Sequence, residues 1–294
     1  MQFVGDDGQR SLGVVVTGGT SGLGLAMARE FLLAGDRVVI CGRDRFRLDS
    51  AMHQLLAQVP GCSLFGTTCD VSVPEEVASL ASFAVLKLGQ VDRWINNAGT
   101  AGHLKRPIWE LDPSDIDETC RTNLSGTMML CSAAVRIMRS QPSGSSWQVY
   151  HIYNMGFSLS GVRSSPTAVP HRASKRAVAL TTALVRSELK SAGITSIGIH
   201  ELSPGLVLTD LLLKDSGVRE RRLFNAIAET PETVAAVLVP GIRSASGSGG
   251  TLRFRPIIFM LARMFASVFG FGRERFFDKD GQRVPLTGTR EHRS

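Results

Sequence analysis

The run Thr17-Gly18-Gly19-Thr20-Ser21-Gly22-Leu23-Gly24 constrains this chain more than any other feature. It follows the apolar stretch Val14, Val15, Val16 and opens an amphipathic segment with Leu25, Met27, Ala28, Phe31 and Leu32. The pattern predicts a strand, a glycine turn and a helix in succession. Such a turn needs glycines because the backbone must approach a pyrophosphate closely, and the helix N-terminus offers it N–H groups and a positive dipole end. A lone glycine triplet is weak evidence. Here the spacing is TGxxxGxG, and further signals follow downstream.

Strand patterns recur at Val14–Val16, Arg37–Cys41, Ser63–Cys69, Val91–Asn96, Trp147–Tyr153 and Ser196–Leu202. Segments of helical period separate them, at 45–58, 74–88, 113–139 and 172–191. This alternation predicts βαβ units and a doubly wound, Rossmann-like parallel sheet, an α/β fold. Thr230-Pro231-Glu232 reads as a helix start with Thr as cap and Pro in the first turn, running to about Arg243. Ser244 to Gly250 is glycine- and serine-rich, which predicts the end of the body there. The expected organisation is one domain over residues 1–250 and a C-terminal extension over 251–294.

That extension crowds Ile257, Ile258, Phe259, Met260, Leu261, Met264, Phe265, Val268, Phe269 and Phe271 into fifteen residues, interrupted by Arg263. It is too short and too charged for a membrane span. Two readings stand: a helix packed on the body or across an oligomer interface, or an interfacial helix touching a membrane or an apolar ligand. The formal charge of +7 lies largely in this region, and the chain has only two tyrosines. No stacking platform or recognition module appears, which argues against nucleic acid. Cys41, Cys62, Cys69, Cys120 and Cys131 form no CxxC pair and no metal-type cluster with histidine, so they suit a reducing compartment and the core. The first residues show no secretory apolar region and carry Asp6 and Asp7, unlike a transit peptide. Either the protein is not imported, or the chain begins after the targeting segment.

Beyond the glycine turn come Asn96-Asn97-Ala98-Gly99 after a strand, Asn123 in a long helix, Lys175 on a later helix, and Pro204-Gly205-Leu206-Val207-Leu208-Thr209 after a strand. In order and spacing these resemble the short-chain dehydrogenase/reductase family over about positions 12 to 245. The resemblance implies a nicotinamide cofactor held by Thr17, Gly18, Thr20, Ser21, Gly22, Leu23 and Gly24 at the pyrophosphate. It places Asp70 and Val71 at the adenine, and Asn97, Ala98 and Gly99 along the cleft. Lys175 would lie by the nicotinamide ribose, and Pro204, Gly205, Val207 and Thr209 would also bind the cofactor. A helix cap is the competing role for Asp70. The second strand ends Ile40-Cys41-Gly42-Arg43, with Gly42 where an acidic residue would bind a ribose 2′-hydroxyl. Arg43 can pair with a 2′-phosphate, so NADPH is the expected cofactor.

The resemblance also implies that Lys175 bonds the nicotinamide ribose and that Asn123 supports a proton relay. In the family a tyrosine four residues before the lysine donates the proton. This chain has His171 there, in His171-Arg172-Ala173-Ser174-Lys175. A histidine is shorter than a tyrosine, and a Lys175 cation lowers its pKa. Two readings stand: His171 is a replacement acid, or it marks a chain without turnover. The serine partner is Ser158 or Ser160, thirteen or eleven residues before His171.

Residues 93–99, 200–212 and 229–243, with the basic aromatic tail, are similar to the chlorophyll b reductases of plants and green algae. That similarity implies NADPH-dependent reduction of the 7-formyl group of chlorophyll b, in a chloroplast, near thylakoids and in an oligomer. The chain departs at Gly156, Phe157, Ser158 and His171. Two other functions stay open: a non-catalytic NADPH-binding partner of an active reductase, and a reductase of another large lipid-like carbonyl.

Overall fold

Alternating side chains sort the strands into two buried faces. In the computed structural model, which describes residues 10–142, 149–156, 167–214, 216–254 and 275–284, Val14 and Val16 face one apolar cluster while Val15 faces another. Both faces are buried, as parallel strands between two helical layers require. Among the described residues the sheet has seven strands in the order β3-β2-β1-β4-β5-β6-β7, all parallel. The strands are β1 (Gly13–Thr17), β2 (Arg37–Gly42), β3 (Leu64–Thr68), β4 (Arg93–Asn96), β5 (Tyr150–Met155), β6 (Ile197–Ser203) and β7 (Thr251–Arg253). This is the doubly wound fold that the motif order predicts.

Helices α1 (Gly22–Leu33) and α2 (Arg45–Gln58) cover one face; α3 (Pro74–Leu88) lies on the other. The predicted helix at 113–139 is α4 (Pro113–Cys120) and α5 (Gly126–Ser140), joined by a π-helical turn at Arg121–Ser125 that holds Asn123. Next come α6 (Val169–Ser191), the single turn α7 (Asp210–Leu213), α8 (Val218–Ile227) and α9 (Pro231–Arg243). Thr230 caps α9 as expected, its Oγ1 accepting from the Thr233 N–H at 3.3 Å.

The expected end of the body at Gly250 needs correction. Ile199 N–H donates to Ser248 O and Glu201 N–H to Gly250 O, so the glycine-rich stretch runs along β6 and leads into β7. Small residues suit it because the backbone lies tight against the sheet edge there, not because the chain is leaving. The apolar run Ile257–Phe271 lies outside the described residues. No helix among the described residues is long and apolar enough to cross a membrane.

Candidate active site

The chain order of the sheet reverses between β1 and β4, which opens a crevice at the carboxyl ends of the strands. The glycine turn and Asn97–Gly99 meet there. A Cβ at Gly24 would fall 2.2 Å from Gly18 O and 2.4 Å from Asn97 Nδ2, so the turn closes only with glycine at this position. Asn97 Nδ2 donates to Thr17 O and Gly18 O at 3.0 and 3.1 Å, and Thr17 Oγ1 accepts from the Asn97 and Ala98 N–H groups. These bonds tie the two loops into one wall. The first turn of α1 carries no acidic residue, and Ser21 makes no capping bond. A helix start left this way suits an anion. The cradle fits the pyrophosphate of a dinucleotide.

At the end of β2, a Cβ on Gly42 would meet Thr20 Cγ2 at 2.6 Å. No carboxylate fits there while Thr20 keeps its place. Arg43 is exposed, and its Nη1 lies 3.1 Å from Glu118 Oε1 and 4.0 Å from Asp70 Oδ2. Glu118 also meets His103 Nε2 at 2.9 Å; His103 and Arg43 together hold its carboxyl below the usual range. Asp70 caps no helix, since Val73 is the N-cap of α3. Its Oδ1 accepts instead from Ser72 N–H and Oγ, which fixes the turn after β3 beside the buried Val71.

Asn123, His171 and Lys175 converge on the loop after β4. Asn123 Oδ1 accepts from Thr100 N–H at 2.8 Å, and its Nδ2 donates to Thr100 O and Ser174 Oγ at 2.9 and 3.0 Å. His171 Nδ1 lies 2.7 Å from the same Thr100 O. A carbonyl only accepts, so Nδ1 carries the proton and the neutral ring presents Nε2 as an acceptor. A Cβ at Gly99 would lie 3.0 Å from Asn123 Oδ1 and 3.2 Å from Lys175 Nζ, which puts the lysine head beside this loop. Both titratable groups are buried. Burial first and the Lys175 charge second pull His171 down to about 4; burial pulls Lys175 down to about 8.

Sequence reasoning missed Thr100 and Ser174, which tie Asn123 and His171 together. Thr100 directly follows Gly99 and Ser174 directly precedes Lys175, so adjacency to the motifs was the available signal. Ser158 and Ser160 lie outside the described residues. Across the cleft, Leu208 and Thr209 line a groove of about 610 Å³ with Gly22, Leu25 and Ala26. Thr209 caps α7, its Oγ1 accepting from Leu212 N–H at 3.4 Å, and Gly205 bends the chain between β6 and this lip with a φ of 76°.

The short chain dehydrogenase family model matches residues 13–217. The chain belongs to the short-chain dehydrogenase/reductase family. It is 39% identical over 287 residues to a probable chloroplastic chlorophyll(ide) b reductase of Oryza sativa subsp. japonica, covering 92% of this chain and 55% of the relative. It is 36% identical over 260 residues to a chloroplastic chlorophyll(ide) b reductase of Arabidopsis thaliana, covering 87% of this chain and 73% of that one. The chain thus spans about half the length of the rice relative. Among solved structures, a variant of actinorhodin polyketide ketoreductase with NADPH superimposes with a TM-score of 0.67 at 26% identity, over 83% of this chain and 95% of that chain. The family is that of oxidoreductases.

Proposed function

We propose that this chain is an NADPH-dependent reductase of a carbonyl on a large apolar molecule, with the formyl group of chlorophyll b as the leading substrate. The observation that carries this reading is the cluster of buried His171, Lys175 and Asn123 around Thr100 at the switch-point crevice. The similarity to chloroplastic chlorophyll(ide) b reductases supports the substrate class and a chloroplast location, with thylakoid contact as part of the proposal. The NADPH of the ketoreductase supports a nicotinamide cofactor. Such a cofactor supplies hydride when bound.

The protein must then stabilise and protonate the alkoxide. Near pH 7 the His171 ring is neutral with Nε2 lacking a proton, while Lys175, titrating at about 8, holds one. Lys175 is therefore the proposed proton source. Its match to neutral pH follows the rule that an efficient general acid titrates near the working pH. His171 holds Thr100 O, and with Asn123 it keeps the loop beside Lys175 in place.

For the cofactor, Gly42 puts no carboxylate at the end of β2 and Arg43 supplies the cation. Its exposed pairing with Glu118 is worth about 0–1 kcal/mol. A phosphate contact is worth about 1.5–3 kcal/mol, so Arg43 exchanges one partner for the other with net gain. Single-turnover oxidation of bound NADPH with chlorophyll b, chlorophyllide b and a small aromatic aldehyde tests the reading. Oxidation by the pigments alone supports it; oxidation by none overturns it.

A second reading has its own observation: His171 replaces the family's tyrosine, and its neutral ring carries its proton on Nδ1 toward Thr100 O, which leaves none on Nε2 to donate. Under it the chain binds NADPH without turnover and serves an active reductase as partner. A His171→Tyr chain that turns over while the wild type stays inert would favour this second reading.

A further inference from the structure

We propose that the C-terminal segment Arg275–Val284 positions the far lip of the cleft, and that Asn225, Glu229 and Arg275 are the positioning residues that transmit its hold. The role assigned to the lip rests on the reductase reading above; the docking itself stands on contacts described here.

The lip consists of the loop Leu206–Thr209, α7 and α8. Its apolar support is a cluster separate from both sheet faces: Leu212, Phe224 and Ala228 from the lip, with Phe276 and Phe277 from the tail. Leu206 and Leu208 pack against the same cluster. The tail thus supplies the two largest buried side chains of this cluster along with Phe224.

Polar contacts make the docking specific. Asn225 is buried, and its Oδ1 accepts from the Phe276 and Phe277 N–H groups, both at 2.9 Å, while its Nδ2 donates to Phe277 O at 2.6 Å. A side-chain amide that satisfies the backbone of another segment three times fixes that segment in one register. The tail folds back on itself to offer this edge: Val284 N–H donates to Phe276 O, and Asp278 Oδ1 accepts from the Asp280 and Gln282 N–H groups. Arg221 donates to Gly281 O at 3.0 Å and Arg222 Nε to Lys279 O at 3.0 Å, so α8 grips the turn along its length.

Glu229 connects this grip to the cofactor lip. Its carboxylate Oε2 accepts from Arg275 Nη2 at 2.8 Å. Its main chain pairs with the loop on both sides of Val207, through Leu208 N–H to Glu229 O and Glu229 N–H to Leu206 O. On the cleft side the lip meets the opposite loop through two lysine heads, Lys105 Nζ to Leu212 O at 3.2 Å and Lys214 Nζ to Gly102 O at 3.3 Å. Flexible lysine contacts hold position poorly. The buried tail contacts are the ones able to set it.

The test uses the full chain with NADPH present, in wild type, Asn225→Ala and the milder Arg275→Met. Amide hydrogen exchange should quicken about tenfold or more at Leu208, Glu229, Phe276 and Phe277 in both variants, while β1, β4 and β5 keep wild-type protection. With a carbonyl substrate, KM should rise about five- to tenfold while kcat changes by less than about threefold. Fast exchange confined to the tail, with Leu208 and Glu229 as protected as in wild type, overturns the proposal. Loss of protection across the strands in both variants also overturns it, by making the tail part of the general core. If the wild type reduces no carbonyl, the reductase reading fails, and the exchange measurement still decides the docking.

Discussion

Two buried histidines of this molecule titrate alike. His171, at the carboxyl ends of the strands, and His200, midway along β6, are both pulled down to about 4, chiefly by burial. Their surroundings differ. His200 Nε2 lies 2.9 Å from His151 Nδ1, and its ring stacks on Tyr153 at 4.8 Å between centroids. Beside them Arg93 donates to Asp92 O, Val149 O, Ile242 O and Arg243 O, which caps the end of α9. That region fastens helix to sheet. His171 faces a crevice, next to a lysine that titrates at about 8. A perturbed pKa alone therefore does not mark an active site; the crevice and the partner with a proton near neutral pH do.

The largest expected effect breaks the symmetry outright. Lys175→Met should lower turnover by about 10²–10⁴-fold, the usual cost of a lost general acid, with melting temperature unchanged or raised because a desolvated cation is gone. Arg93→Met at the other end should do the reverse. Four carbonyls lose their donor, so denaturant titration should find the fold weaker by about 3–5 kcal/mol, while NADPH binding to the remaining folded protein is unchanged.

Acid should act on both histidines together. In the unfolded chain each histidine titrates near 6.5, and in the fold near 4. Between these values the unfolded state binds more protons, so stability is full above about pH 6.5 and falls as pH drops towards about 4. The loss should reach roughly 3 kcal/mol for each histidine, and His171→Phe should remove about half of the total in a urea series run across that window.

The smallest effect lies at the cofactor end. Arg43→Ala should reduce NADPH affinity about ten- to a hundredfold and leave NADH unaffected, measured by fluorescence titration of both. Equal binding of the two cofactors by wild type would remove the phosphate from the account.

Much of the fold was legible because period-2 strands, period-3.6 helices and turn glycines are local signals. Thr17–Gly24, Asn97–Gly99 and Lys175 came from spacing and resemblance, and the fold brings them together. Three things were not legible. Thr100 acts through its main chain, which any residue type provides, so nothing in its side chain announced it. The seventh strand, just after a glycine-rich stretch, was hidden because an edge strand three residues long leaves almost no periodicity. The docking of Phe276 and Phe277 on Asn225 is a contact across about fifty residues, where local pattern carries no information. Arg43 shows the opposite lesson: its charge was visible, but the carboxylate of Glu118 beside it was not.

In the proposed reaction Lys175, and not His171, holds the proton delivered to the substrate. The pH dependence of single-turnover NADPH oxidation by the wild-type chain, with chlorophyllide b in excess, tests it most directly. The expected rate is level from about pH 5 to 7 and falls tenfold per unit above about 8, following Lys175. A rate that already falls tenfold per unit from about pH 5 upward, following His171, would contradict it.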